Sequence, residues 1–256
     1  MRVVVKVGTS TLVHSTGLLN IRRVEKLCKV LSDLKNEGHE IILVSSGAIG
    51  MGFGKLGLRS RPTDMPSKQA SAAVGQCELM YVYDKLFSEH RHTVAQILLT
   101  GDDIKSEQRR SNFHSTLFRL LELGALPIIN ENDTVFTEEI VIGDNDTLAA
   151  AVAVNASAGL LVLLSDIDGL YTADPRTDPD ARLIPQVDNV TDEMIASAGK
   201  GGSLGTGGMV TKLNAARTAA EAGIDTVIAN GSDPDILYRI FGGETAGTRF
   251  SGRKKQ

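Results

Sequence analysis

Short, almost uninterrupted apolar runs punctuate the chain: VVVKV at 3–7, EIILVS at 40–45, PIIN at 127–130, LLVLLS at 160–165 and DTVIAN at 225–230. Runs of this length, rich in β-branched residues and without in–out alternation, predict strands buried on both faces, as in a parallel sheet. Between them the period changes. Apolar positions at Ile21, Val24, Leu27, Cys28, Leu31 and Leu34 fall on one helical face, with Asn20 placed to cap the start and Gly38 to close the end. Similar patterns predict helices over 67–88, over 111–123 ending at Gly124, and from about 209 to 222 ending at Gly223. Strand–helix alternation predicts an α/β fold, a mostly parallel sheet covered on both faces. In such sheets ligands sit beyond the carboxyl ends of the strands, so those ends are where chemistry is sought. The stretch NDTVFTEEIVIGDND at 132–146 suggests a hairpin projecting from the sheet, and the prolines at 175, 179 and 185 mark a loop-rich segment without a domain boundary.

Composition adds exclusions. The chain has 256 residues, 42% hydrophobic and 23% charged, ordinary values that allow a full core. A net charge of −4 gives no general pull toward nucleic acid or an anionic membrane. Cys28 and Cys77 form no CxxC and no disulfide framework, and Cys28 lies on the apolar face of a helix, where a buried, reduced thiol is expected. MRVVVKVGTS is too short and too soon interrupted by Lys6 for a signal peptide, and no apolar run is long enough to span a bilayer, so a cytoplasmic protein is expected. Histidines at 14, 39, 90, 92 and 114 are scattered, with no HExxH and no GxSxG elsewhere, which argues against zinc catalysis and acyl transfer.

Five strand or helix ends carry candidate chemistry. KVGTST at 6–11 puts Lys6 in the last turn of a buried strand, a costly position unless the side chain reaches a polar cleft or the strand lies at an edge. The residues after it let backbone amides approach an anion. SSGAIGMGFG at 45–54 offers hydroxyls and amides from Ser45, Ser46 and Gly47, or a plain turn. Its Gly52, Gly54 and Gly57 match GxGxxG, but they do not follow the strand directly and no acidic strand end comes later, so a dinucleotide site is rejected. GTGGMVTK at 205–212 resembles a phosphate loop entering a helix, with Lys212 in the first turn, where it opposes the dipole unless an anion is bound; the glycines before Gly205 are equally readable as a surface loop. LLSDIDGLYTADP at 163–175 lacks a calcium ladder, and Tyr171 with Pro175 forms either a wall against a purine or ordinary core and turn. VIGDNDTLAAAVAV at 141–154 holds too few ligands for a protein-built calcium site, and leaves an N-cap role open to Asp144 or Asp146.

Taken in order, VVVKVGTS, ILVSSGAIGMG, PIINENDTV, IVIGDNDTLAA, LLSDIDGLYTADP and GTGGMVTKL closely resemble the glutamate 5-kinases of the amino acid kinase family, in register over nearly the whole chain. The resemblance implies a single domain over 1–256, a three-layer α/β/α sandwich in which residues to about 155 bind glutamate and those from about 156 bind ATP. It implies phosphorylation of the side-chain carboxylate of L-glutamate by ATP with Mg²⁺ carried on the phosphates, the first step of proline synthesis. By the same resemblance Lys6 and Lys212 are the catalytic cations and Asp146 holds them. Ser46, Asp133, Asn145 and Asp144 serve glutamate, with Asp133 as the anion for its α-ammonium. Lys6, Ser165, Asp166, Thr206, Gly207, Gly208, Met209, Val210, Thr211 and Lys212 serve ATP. Feedback inhibition by proline and a homo-oligomer, dimer or tetramer, are further expectations, as is the absence of the RNA-binding-type PUA domain that many members carry. Competing readings are another member acting on acetylglutamate, aspartate or a nucleoside monophosphate, or a catalytically silent sensor on the same fold.

Overall fold

The computed structural model describes residues 1–135, 145–199 and 208–253. Its strands are β1 (Arg2–Val7), β2 (Glu40–Ser45), β3 (Val94–Leu99), β4 (Leu126–Glu131), β5 (Leu160–Ser165), β6 (Gln186–Val187), β7 (Asp225–Asn230) and β8 (Thr248–Phe250). The helices are α1 (Thr9–Leu12), α2 (Ile21–Asn36), α3 (Ala48–Lys55), α4 (Met65–Ser88), α5 (Gly101–Lys105), α6 (Glu107–Glu122), α7 (Asn145–Asn155), α8 (Asp192–Gly199), α9 (Met209–Glu221) and α10 (Ile236–Phe241). The expected hairpin over 132–146 lies largely outside the described residues.

The strands make one sheet in the order β3-β4-β2-β1-β5-β7-β8-β6. From β3 to β7 every pairing is parallel; β8 runs antiparallel to β7, which reverses the far edge. The five apolar runs predicted as buried strands are therefore neighbours, β4-β2-β1-β5-β7. β1 lies inside the sheet, opposite β2 on one side and β5 on the other, so Lys6 is not an edge residue. The chain also leaves β1 in one direction to β2 and returns on its other flank as β5. That is the topological switch at which open α/β sheets form their ligand crevice.

Strand periodicity divides the core in two. Val3, Val5 and Val7 face α2 and α4 with Val24, Leu27, Leu31, Leu79, Tyr83 and Phe87. Val4 faces the other layer, with Phe113 and Leu117 of α6, Leu148 and Val152 of α7, and Leu213 and Ala216 of α9. The fold is thus a three-layer α/β/α sandwich. Period two puts Lys6 on the Val4 side, beneath α7 and α9.

α2 starts where expected: Asn20 accepts a hydrogen bond from the Arg23 amide at 3.3 Å, and Gly38 takes φ +94° beyond the end. Cys28 and Cys77 are both free thiols, and burial pushes the Cys28 thiol well above its usual range. The GxGxxG glycines serve packing. A Cβ on Gly52 would come within 1.7 Å of the Ser71 carbonyl oxygen, and one on Gly75 within 1.8 Å of the Ala48 oxygen, so α3 and α4 touch backbone to backbone. Gly54 packs the same way on Gly17, while Gly57, at φ +63°, turns the chain out of the helix. Among the described residues no helix is long and apolar enough to cross a membrane.

Candidate active site

Lys6, Asp146 and Lys212 meet at the crevice. Lys6 rises from β1 and its Nζ lies 2.7 Å from Asp146 Oδ1; Lys212, from the first turn of α9, places Nζ 3.0 Å from Oδ2. All three are buried, Asp146 completely. Thr211 Oγ1 lies 3.0 Å from Asp146 Oδ2 and 2.8 Å from the Gly208 carbonyl oxygen, donating its single proton to one or the other. Burial alone would push the Asp146 carboxyl up, but the two ammonium groups, by charge and by hydrogen bond, hold it below the usual carboxylate range. Two cations around one anion leave the three side chains with a surplus positive charge. Positive charge gathered in this way favours an approaching anion.

α7 makes this possible. Its Ala149, Ala150 and Ala153 are buried, so it lies close against the sheet between β1 and α9. Consecutive helical residues point about 100° apart, and the first two use that divergence. Asp146 turns to the lysines. Asn145 turns to β2 and β4, where its Nδ2 donates to Ser46 Oγ at 2.8 Å and to Asn130 Oδ1 at 2.9 Å. Among the described residues none donates to its buried Oδ1. Because Ser46 Oγ accepts from Asn145, its own proton is free for an acceptor such as a carboxylate. Asp146 lies inside the first turn of α7 with its carboxylate directed at the lysines rather than at the helix end, so it is not the cap.

Asp133 follows β4 in a turn, half-buried, and none of the described cations or donors pairs with it. Burial raises its carboxyl to about 6. A carboxylate after a strand end with no partner among the described residues suits a cationic group such as an ammonium.

On the other flank of the switch, β5 and β7 end at Ser165 and Asn230. Ser165 is buried and donates to the Asp166 carboxylate at 3.1 Å, while Asp166 itself is exposed. Tyr171 donates to Asp168 Oδ2 at 2.9 Å, and Asn230 donates to Asp168 Oδ1 at 2.8 Å. Tyr171 is half-buried and Pro175 exposed, so neither belongs to the core. Gly208, Met209 and Val210 lead into α9 and are only half-buried. Gly8, directly after β1, would place a Cβ 3.7 Å from the Lys6 ammonium, so glycine keeps that flank of the cation open.

The structure thus brings together Lys6, Asp146, Lys212 and Thr211, and separately Ser46 with Asn145. Asp144, Thr206 and Gly207 lie outside the described residues. Sequence reasoning missed Asn130, Asn230 and Gln76, neutral amides whose only signal was position at a strand end or on a helix.

A model of the amino acid kinase family matches residues 1–230. The chain is 50% identical to a glutamate 5-kinase of Clostridium perfringens, covering 99% of this chain and 96% of the relative. It is 50% identical to one of Listeria innocua, covering 100% and 94%. A third, from Carboxydothermus hydrogenoformans, is 51% identical, and the match covers 100% of this chain and 69% of that relative. Solved structures share the fold at low identity. An isopentenyl phosphate kinase of T. acidophilum aligns with TM-score 0.66 at 17% identity over 98% of this chain and 100% of that one. A UMP kinase of Bacillus anthracis aligns with TM-score 0.67 at 17% identity over 98% and 96%. By sequence match and by architecture, the chain belongs to the amino acid kinase family.

Proposed function

We propose that the protein transfers the γ-phosphoryl group of ATP to the side-chain carboxylate of L-glutamate, giving L-glutamyl 5-phosphate and ADP, the first step of proline biosynthesis. The observation that carries this reading is the Lys6–Asp146–Lys212 cluster beside the Asn145–Ser46 pair, with near-full-length relatives named glutamate 5-kinase in support. The acceptor carboxylate has a reference pKa of about 4.3 and is ionised at neutral pH, so it attacks without a general base. The obstacle is the approach of one anion to another. Lys6 and Lys212 answer it with positive charge aimed at the transferring oxygens from two sides of the switch. Asp146 keeps the two ammonium groups at a fixed separation without neutralising both.

On this reading residues to about 155 hold glutamate: Asp133 and Asn145 Oδ1 accept from the α-ammonium, and Ser46 donates to a carboxylate. Asp144 joins them by resemblance. Residues from about 156 hold ATP, with Ser165, Asp166 and the run Thr206–Lys212 around it. The donor chemistry near the lysines is ammonium and hydroxyl, which suits Mg²⁺ carried in on the nucleotide's own phosphate oxygens. Mg²⁺ so bound supplies charge neutralisation across the phosphates. Feedback by proline, assembly into a dimer or tetramer, and a cytoplasmic location rest on the resemblance alone.

The test is coupled ADP release with a panel of L-glutamate, N-acetylglutamate, L-aspartate and UMP, with hydroxylamine present to trap an acyl phosphate as its hydroxamate. Glutamate-dependent ADP release with one glutamyl hydroxamate per turnover is expected. Release driven by another acceptor, or none above background, contradicts the reading.

A further inference from the structure

Resting on the glutamate reading of the site, we propose that Gln76 is a positioning residue for the amino-acid pocket, fixing the amide orientation of Asn145 through Asn130. Gln76 is a buried residue of α4, and its Oε1 accepts from Asn130 Nδ2 at 2.9 Å. Its Nε2 donates to Gln96 Oε1 on β3 at 3.3 Å. Asn130 Oδ1 in turn accepts from the Glu131 backbone amide and from Asn145 Nδ2, both at 2.9 Å.

The polarity of this relay is not arbitrary. A backbone N–H only donates, so the Asn130 atom facing Glu131 must be the oxygen. Its NH₂ then faces Gln76, and whatever Asn145 presents to Asn130 must be the NH₂ as well. The Asn145 oxygen is thereby turned away from the relay, and it is the buried oxygen to which none of the described residues donates. An asparagine amide flipped by 180° occupies nearly the same volume, so packing alone does not choose its orientation. Flipped, Asn145 would oppose its oxygen to that of Asn130 and present an NH₂ to the substrate ammonium. The relay opposes this, together with the Ser45 carbonyl oxygen, which accepts from Asn145 Nδ2 at 3.3 Å. It thereby favours an amino acid over an acceptor lacking a cationic group.

Gln76 also has a defined place in the fold. Its neighbour Gly75 is where α4 touches the Ala48 carbonyl and Gly52 of α3, the helix that follows Ser46. The reach from α4 to Asn130 is therefore set by a backbone contact rather than by a flexible surface helix. Removing the Gln76 acceptor takes that partner from the buried Asn130 NH₂ and leaves the Glu131 amide alone to hold the side chain's orientation, which weakens the relay at its source.

The experiment compares Gln76→Met, which removes the acceptor at similar volume, with Gln76→Glu, which keeps an oxygen toward Asn130. The Met variant is expected to raise glutamate KM about tenfold, the size of one lost buried hydrogen bond. Its ATP KM and kcat should stay within about twofold of the wild type, and the Glu variant should keep glutamate KM within about threefold. Should the Met variant not fold, Gln76→Ala is held to the same expectation. An unchanged glutamate KM in the Met or Ala variant, or a parallel loss in ATP KM and kcat, overturns the proposal. Wild-type protein that releases no ADP with glutamate overturns the function instead, so the two failures are distinguishable.

Discussion

Asp133 sits in a turn where water is scarce, and burial raises its carboxyl from 3.8 to about 6. The folded state therefore holds this proton more tightly than the unfolded chain does, so stability falls as pH rises through that window and stays lowered above it. Asp133→Asn should raise the stability of the ligand-free protein at about pH 8 by on the order of 1–3 kcal/mol, a gain that vanishes below about pH 4. On the proposed role of Asp133 as the anion for the substrate ammonium, the same variant should raise glutamate KM at least about tenfold. Urea denaturation at several pH values, beside glutamate kinetics, checks both; no stability gain at the higher pH would show that the carboxylate is paired. Asp146 has the opposite sign. Its carboxyl is held below the usual range, so the stability it contributes is present above that range and is lost only as pH falls through the depressed value.

At the scale of elements, α3 and α4 show why a nucleotide-like glycine motif is not a nucleotide site. Gly52→Ala should cost at least about 3 kcal/mol, because its Cβ would meet backbone that cannot move aside. Gly57→Ala meets open space and should cost only about 1–2 kcal/mol for its positive φ. Equal costs by urea denaturation would contradict the packing account. The same pair of helices marks a limit of sequence reading. The glycines of α3 weaken its helical pattern, and their packing partners explain them: Ser71 and Gly75 for Gly52, Gly17 for Gly54. β1, β2, β4, β5 and β7 were legible because both faces are buried and the runs are apolar throughout. β3 was not: VAQILL is half-exposed at the sheet edge, and β6 and β8 are too short to give a period. Lys6 and Lys212 stood out because charge in an apolar run or at a helix start demands a reason. Gln76 and Asn130 did not, since a neutral amide in a sequence does not announce its partner.

Across the whole molecule, hydrophobic pattern predicted the layers but not the strand order. Nothing in the run PIIN says that β4 inserts between β2 and β3, yet that insertion brings Asn130 next to Asn145. At the switch between β1 and β5, α7 spans two clusters, with Asn145 facing Ser46 and Asn130 and Asp146 facing the two lysines. Relatives in fold at 17% identity keep the sandwich while their names record other substrates, so the architecture supplies the crevice and particular side chains supply the acceptor. The central claim is that the buried cation pair around Asp146 stabilises the phosphoryl group in transit. Steady-state kinetics of Lys212→Met tests it most directly. The account predicts a kcat about 10²–10³-fold below wild type with glutamate KM within about threefold. A near-normal kcat in a folded variant would contradict it.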